Sequence, residues 1–333
     1  MQMLPIQVHP LDDTMLGAME EVRSEQWNLL LPRLKSVPGS WRSDAKVFPP
    51  FFSRFLQHNW GLGAFLEGRF VGYLVYDMCD FQGDYCALCP VFGHGAVGKN
   101  RVAVYQALLQ RASENWVRGG SVNHLMSFFW SDPQLQEVLY GLGFGLYMID
   151  AFRGDCLLEG ETFSTEVEII PGTFEHLQVL KALGDAALEY SVQSPLFLLH
   201  HEENEGYYRR VLQDPEVGVF LARMEGKMVG FMMVCHVSCP EPATLCDTKT
   251  AALEPLGPFI LPKFRNRGAG TLLLQACIRW ARKKGLRSIH VDFESANTLC
   301  RPFWERFFQP ALLTVRRHVN SDVLDVFSEP REA

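Results

Sequence analysis

Arg265-Asn266-Arg267-Gly268-Ala269-Gly270 is the stretch of this 333-residue chain whose residue types and spacing point most directly to chemistry. An apolar segment ending at a proline, Gly257 to Pro262, comes before it and reads as a strand. Thr271 to Ala281 comes after it and reads as a helix. A strand, a glycine-bearing turn and a helix start make a cradle for a diphosphate. The N–H groups of a first helical turn lack intrahelical acceptors, and the helix dipole adds partial positive charge there. Gly268 and Gly270 leave room where an anion must come close, and Arg265 and Arg267 can add charge-assisted hydrogen bonds. The Lys-Ser/Thr end of the P-loop is missing, and Arg stands where the dinucleotide fingerprint has its first glycine.

The elements that must position this loop are legible on both sides. Downstream, Arg282-Lys283-Lys284-Gly285 closes the helix with cations and a glycine. Arg287 to Glu294 alternates apolar and polar residues as a strand does. Asn297 and a short aromatic helix, Pro302 to Phe308, follow. Upstream, Val217–Arg223 and Met228–Cys235 flank Met224-Glu225-Gly226-Lys227, a hairpin with glycine in its turn.

From about Val167 to Phe327 this order, together with the Arg/Gln-x-x-Gly-x-Gly/Ala pattern at Arg265–Gly270, resembles the GNAT superfamily of N-acetyltransferases. The resemblance implies an α/β (α+β) fold with a mixed, mostly antiparallel sheet flanked by helices. It also implies acetyl-CoA as cofactor. Arg265, Asn266, Arg267, Gly268, Ala269, Gly270 and Thr271 would then hold the diphosphate. The backbone of Phe259, Ile260 and Leu261 would pair with the pantetheine arm, an N–H near Ile260 polarising the thioester carbonyl. Asn297, Phe303 and Trp304 would line the arm.

Acetyl transfer also needs a neutral amine. Glu254 matches the general-base Glu of the histone-acetyltransferase-like members in its spacing before Arg265, and an exposed pre-strand Glu is the alternative. Asp292 and Glu294 share one strand face with His290, and either carboxylate could take a proton or bind the amine. Many relatives carry a Tyr seven residues after the Asn to protonate the leaving thiolate; here Trp304 stands there, and an indole N–H does not transfer a proton as a phenol does. Residues 190–210, with His200, His201 and several carboxylates, fall where the fold places variable acceptor-binding helices.

The first half repeats the plan. Glu67-Gly68-Arg69-Phe70-Val71-Gly72 parallels Glu225-Gly226-Lys227-Met228-Val229-Gly230. The stretch Gly93-His94-Gly95-Ala96-Val97-Gly98 stands where a cradle is expected, its cations displaced to Lys99 and Arg101. This is an internal duplication. The domains are expected at 1–155 (degenerate), 166–333 (motif-bearing), with a linker at 156–165.

Length favours two domains, and 47% hydrophobic residues suffice for packed cores. A net charge of −7 gives no basic footprint for nucleic acid and mildly favours a cationic acceptor. No basic, then apolar leader opens the chain and no apolar run is long enough to span a membrane, so a cytoplasmic protein is expected. Nine scattered cysteines read as reduced thiols, and neither of their two groupings has zinc-site spacing, so no metal is expected. The expected activity is transfer of an acetyl group to the primary amine of a small molecule or peptide, by a monomer or homodimer. A catalytically silent acyl-CoA-binding protein is the alternative, and an aminoacyl-tRNA-dependent transferase is disfavoured by the acidic charge.

Overall fold

The computed structural model describes residues 6–42, 48–158, 166–199 and 203–328. Most of the linker, 159–165, and His200, His201 and Glu202 lie outside them. The first half runs β1 (Gln7–Pro10), α1 (Leu16–Leu30), α2 (Phe48–Leu56), β2 (Gly61–Leu66), β3 (Arg69–Val75), β4 (Asp77–Phe81), β5 (Asp84–Cys89), β6 (His94–Ala96), α3 (Arg101–Arg118), β7 (Asn123–Phe129), α4 (Pro133–Gly141) and β8 (Gly145–Gly154). The second half runs β9 (Glu168–Pro171), α5 (Leu177–Ser191), α6 (Glu205–Gln213), β10 (Val217–Met224), β11 (Lys227–His236), β12 (Thr250–Ala252), β13 (Phe259–Ile260), α7 (Ala269–Lys283), β14 (Ser288–Glu294), α8 (Arg301–Phe307), β15 (Gln309–His318) and α9 (Val323–Ser328).

Both hairpins form as their turn sequences require. Glu67-Gly68 and Glu225-Gly226 each place two successive residues at positive φ, 52° and 75° in the first and 51° and 74° in the second. That backbone matches the twist of two antiparallel strands, and glycine adopts it without a steric cost. The strand expected over Gly257–Pro262 shrinks to Phe259–Ile260, because Pro255, Pro258 and Pro262 have no N–H to donate to a ladder.

The sheet does not stop between the halves. Its main order is β4-β5-β7-β15-β8-β14-β12-β11-β10-β9. The chain's last strand, β15, lies between β7 and β8 of the first half, and β8 in turn pairs with β14 of the second. The halves are related by a pseudo-twofold. Ile149 of β8 pairs with Leu313 of β15, and the same sequence interval separates Arg101, at the start of α3, from Arg265. A separate four-stranded sheet, β1-β2-β3-β6, carries the rest of the first half.

One apolar cluster, with Leu108 and Trp116 of α3, Leu139 of α4, Leu273 and Ile278 of α7, and Trp304 of α8, packs the same side of both halves. On the other side, Trp27 and Phe52 of α1 and α2 cover the first half, and Leu180 and Val211 of α5 and α6 cover the second. No helix among the described residues is long and apolar enough to cross a membrane.

Candidate active site

The Arg265–Gly270 loop closes onto α7 through backbone that only some residues tolerate. Asn266 has φ 59° and Gly268, the helix N-cap, has φ 87°. Leu272 N–H bonds Gly268 C=O and begins the helical ladder. The N–H groups of Ala269, Gly270 and Thr271 find no protein acceptor among the described residues, so the first turn presents a row of free donors. A Cβ on Gly270 would stand 3.3 Å from the Phe303 ring and 3.6 Å from Ile260 Cδ1. Phe303 therefore supports the floor of the cradle.

The two arginines part ways. Arg265 donates its Nε–H to Ile260 C=O at 2.9 Å and lays its guanidinium 4.5 Å from the centre of the Tyr190 ring. Arg267 turns outward to ion pairs with Glu166 and Glu225, both at 2.8 Å. Of the two cations the sequence offers, Arg265 stays beside the strand end.

Strand β12 bridges β11 and β14, whereas β13 pairs with β11 alone. The sheet therefore opens beyond Ala252, between β13 and β14. Leu261 N–H bonds Val229 C=O, so the alternation of an antiparallel ladder turns the N–H and C=O of Ile260 away from β11 and toward the gap. At the gap, Tyr190 Oη donates to Asn297 Oδ1 at 3.4 Å, and that oxygen also accepts from Cys300 N–H. Phe259 is buried against Tyr190. Trp304 is 2% exposed, its indole packed between Phe303 and Phe308 in the core.

Glu254, His290 and Asp292 converge, with one side-chain oxygen or ring nitrogen of each within 4.8 Å of the others. Glu254 lies just beyond β12, while His290 and Asp292 share a face of β14. Glu254 keeps an exposed edge, yet the protein crowding it raises its pKa above the usual carboxylate value; Asp292 and Asp150 add to the rise, and His290 opposes it. Glu294, two residues beyond Asp292, is instead close enough to Cys300 and Tyr147 to act on their titration. Of the candidate carboxylates Glu254, Asp292 and Glu294, the fold gathers the first two around His290. Asp150 was not legible from sequence. It belongs to β8, and its Oδ1 accepts from His290 Nε2 at 3.0 Å.

The first half keeps the scaffold and has lost the cradle. Arg101 donates its Nε–H to Ala96 C=O, the same bond that Arg265 makes to Ile260. Yet α3 begins at Arg101 itself, with no glycine turn between arginine and helix. The glycines at 93, 95 and 98 precede that point and serve β6 and its flanks. Arg101 is clamped by Asp132 through a two-toothed pair, one arm at 2.7 Å. Ala96 N–H, the counterpart of Ile260 N–H, is occupied by Gln26 Oε1 at 3.0 Å. His94 crosses the opening to Ser127 C=O at 3.0 Å, and burial drives its pKa down to about 4, leaving it neutral at pH 7.

Residues 185–308 match the acetyltransferase (GNAT) family. The second half carries a GNAT domain. The chain is 29% identical over 100 residues to an uncharacterized N-acetyltransferase of Methanocaldococcus jannaschii, covering 30% of this chain and 42% of that one. It is 33% identical over 92 residues to the aminoglycoside N(6')-acetyltransferase type 1 of Salmonella typhimurium, covering 27% of this chain and 59% of that one. The matches thus span about half the length of these curated relatives. A GCN5-related N-acetyltransferase from Sphaerobacter thermophilus shares the fold end to end, with a TM-score of 0.54 at 10% identity over 95% of this chain and 96% of that one. The duplication seen in the strand order makes the first half a second GNAT-like domain.

Proposed function

We propose that this GNAT protein is an acetyl-CoA-dependent N-acetyltransferase whose acceptor is a primary amine on a small molecule or peptide. The observation that carries the reading is the row of free N–H groups at Ala269, Gly270 and Thr271 beside an opened sheet edge. The fit is chemical: a diphosphate accepts hydrogen bonds and favours a helix N-terminus, and Gly270 lets that helix start sit close over the Phe303 ring.

Acetyl-CoA, when bound, supplies an acetyl group activated as a thioester. The cradle amides hold its diphosphate. The Ile260 N–H, turned into the gap, donates to the carbonyl oxygen as negative charge grows on it. Asp292 draws a cationic amine toward the gap, and Glu254, its basicity raised by crowding and by Asp292, accepts the proton the amine must lose. Domain limits near 155 and 166 fit the repeat, and each domain borrows its neighbour's last strand.

Thiol release across a panel of amines tests the activity. Glu254→Gln lowers kcat by about 10²–10⁴-fold, the usual worth of a positioned base, and leaves acetyl-CoA affinity as it was. Undiminished turnover would take the base role away from Glu254. Calorimetry saturates at one acetyl-CoA per chain, because the counterparts in the first half are occupied by Gln26, His94 and Asp132. Two equivalents bound would give the first half a site of its own. Binding without thiol release from any amine favours a silent acyl-CoA-binding protein.

A further inference from the structure

The group Glu254, His290, Asp292 and Asp150 exists in one half only. Where Ala252 pairs with His290 across β12 and β14, Leu88 pairs with Leu125 across β5 and β7. Where Asp150 pairs with Asp292, Thr314 pairs with Ser127. Leu125 and Ser127 of the first half, with Thr314 lent by β15, therefore stand at the positions of His290, Asp292 and Asp150. Its pair is a plain hydroxyl contact, Ser127 Oγ to Thr314 Oγ1 at 2.8 Å. The fold is built without the charged group, so the fold does not require it.

The charged group is costly where it stands. His290 is 1% exposed and Asp150 6% exposed, and burying such groups is unfavourable unless they are paired. They pair with each other across the junction of the halves, Asp150 on β8 and His290 on β14. The Phe152 ring lies 4.9 Å from the imidazole and Cys246 faces it. His290 then sits beneath Glu254 and Asp292, the two carboxylates that open to solvent.

We infer that Asp150, supplied by the first half, is a positioning residue for the second half's acceptor site: it fixes the His290 imidazole, and through it the proton affinity of Glu254. This rests on the acetyltransferase reading for its kinetic consequences and not for its geometry. Burial disfavours the His290 cation, but Cys246 and the Asp150 carboxylate outweigh burial and hold its pKa well above the ordinary value. The charges facing Glu254 are those of Asp292 and His290 on β14 and Asp150 on β8, with the Cys235 thiol on β11 nearby. The His290 cation is the one among them that favours ionised Glu254. A first half kept only as a scaffold would explain β15 and β8 exchanging neighbours, but not a carboxylate aimed across the junction.

The test uses the full chain with two readouts. The first follows the His290 imidazole by NMR in histidine-labelled protein, assigned with His290→Gln. Asp150→Asn lowers the titration midpoint of His290 by about one unit or more, whether or not any amine is acetylated. The second is the pH profile of kcat/KM. His290→Gln moves the acidic limb upward by about one unit. Asp150→Asn moves it differently: while His290 still holds its proton at that pH the limb shifts downward, because the Asp150 charge that raises the Glu254 pKa is gone. The KM for acetyl-CoA stays within about twofold in both, since neither residue touches the cradle. An unmoved His290 titration in folded Asp150→Asn overturns the inference. So does a His290→Gln pH profile that superimposes on wild type while only the denaturation midpoint falls. If Asp150→Asn does not fold, the limb in His290→Gln decides. If no amine yields thiol with wild type, the functional reading has failed and the NMR result still judges the positioning role.

Discussion

Gly268→Asp lowers acetyl-CoA affinity by about 100-fold, which is about 2.7 kcal/mol. Two effects combine. Gly268 holds φ 87° as the cap of α7, and a residue with a Cβ is strained there by about 1–2 kcal/mol. The new carboxylate also sets a negative charge beside N–H groups that attract anions, where the diphosphate must come. Gly268→Ala separates the two, because it keeps the strain and adds no charge, and its loss of affinity is the smaller. Calorimetry with acetyl-CoA measures both, alongside circular dichroism to confirm that α7 persists. If Asp and Ala weaken binding equally, charge at the helix start plays no part. If neither weakens it, the diphosphate binds elsewhere and the acetyltransferase reading loses its anchor.

The cradle was readable from sequence because each of its requirements is local. An arginine, a left-handed residue and a helix start all fall within six positions, and the fold realises them in that order. The twin hairpins were readable for the same reason, since Glu-Gly in a two-residue turn needs no distant partner. The sheet order was not. Nothing in Gln309–His318 marks it for the space between β7 and β8 rather than the edge of its own domain, because alternation specifies a buried face and not a neighbour. Asp150 was hidden for that reason, as its partner His290 becomes a neighbour only through the exchanged strands.

The first half shows how a composition signal misleads. Glycines at 93, 95 and 98 suggest a faded cradle with late cations. The structure aligns by the hairpin and the arginine instead, and Arg101 turns out to be the counterpart of Arg265, with the helix grown up to it. The glycines answer to packing: a Cβ on Gly95 would meet the Tyr73 ring at 2.8 Å and Val22 at 2.9 Å. Trp304 was offered for the cofactor arm and lies in the core, a placement its aromatic neighbours in α8 favour equally well on sequence alone.

Arg101→Ala destabilises the folded chain by about 3–5 kcal/mol. The Arg101 and Asp132 side chains are both nearly sequestered from solvent, at 8% and 2% exposure, so the pair survives on mutual contact rather than hydration. Removing the guanidinium leaves a buried carboxylate without its partner and leaves Ala96 C=O without the Nε–H it accepts. Asp132 still caps α4 through Leu135 N–H at 3.2 Å, so that helix keeps its start and the loss is attributable to the pair. The fall appears as a lower urea midpoint with an unchanged slope. At temperatures where the variant stays folded, its acetyl-CoA affinity matches wild type, because α3 begins without a cradle for Arg101 to serve. The matching change in the second half, Arg265→Ala, does the reverse. Arg265 is partly exposed beside the open sheet edge, so its removal costs little stability and weakens acetyl-CoA binding. Two arginines that make the same bond to the same strand position thus separate by function. If Arg101→Ala weakens the cofactor and Arg265→Ala does not, the assignment of site and scaffold to the two halves must be exchanged.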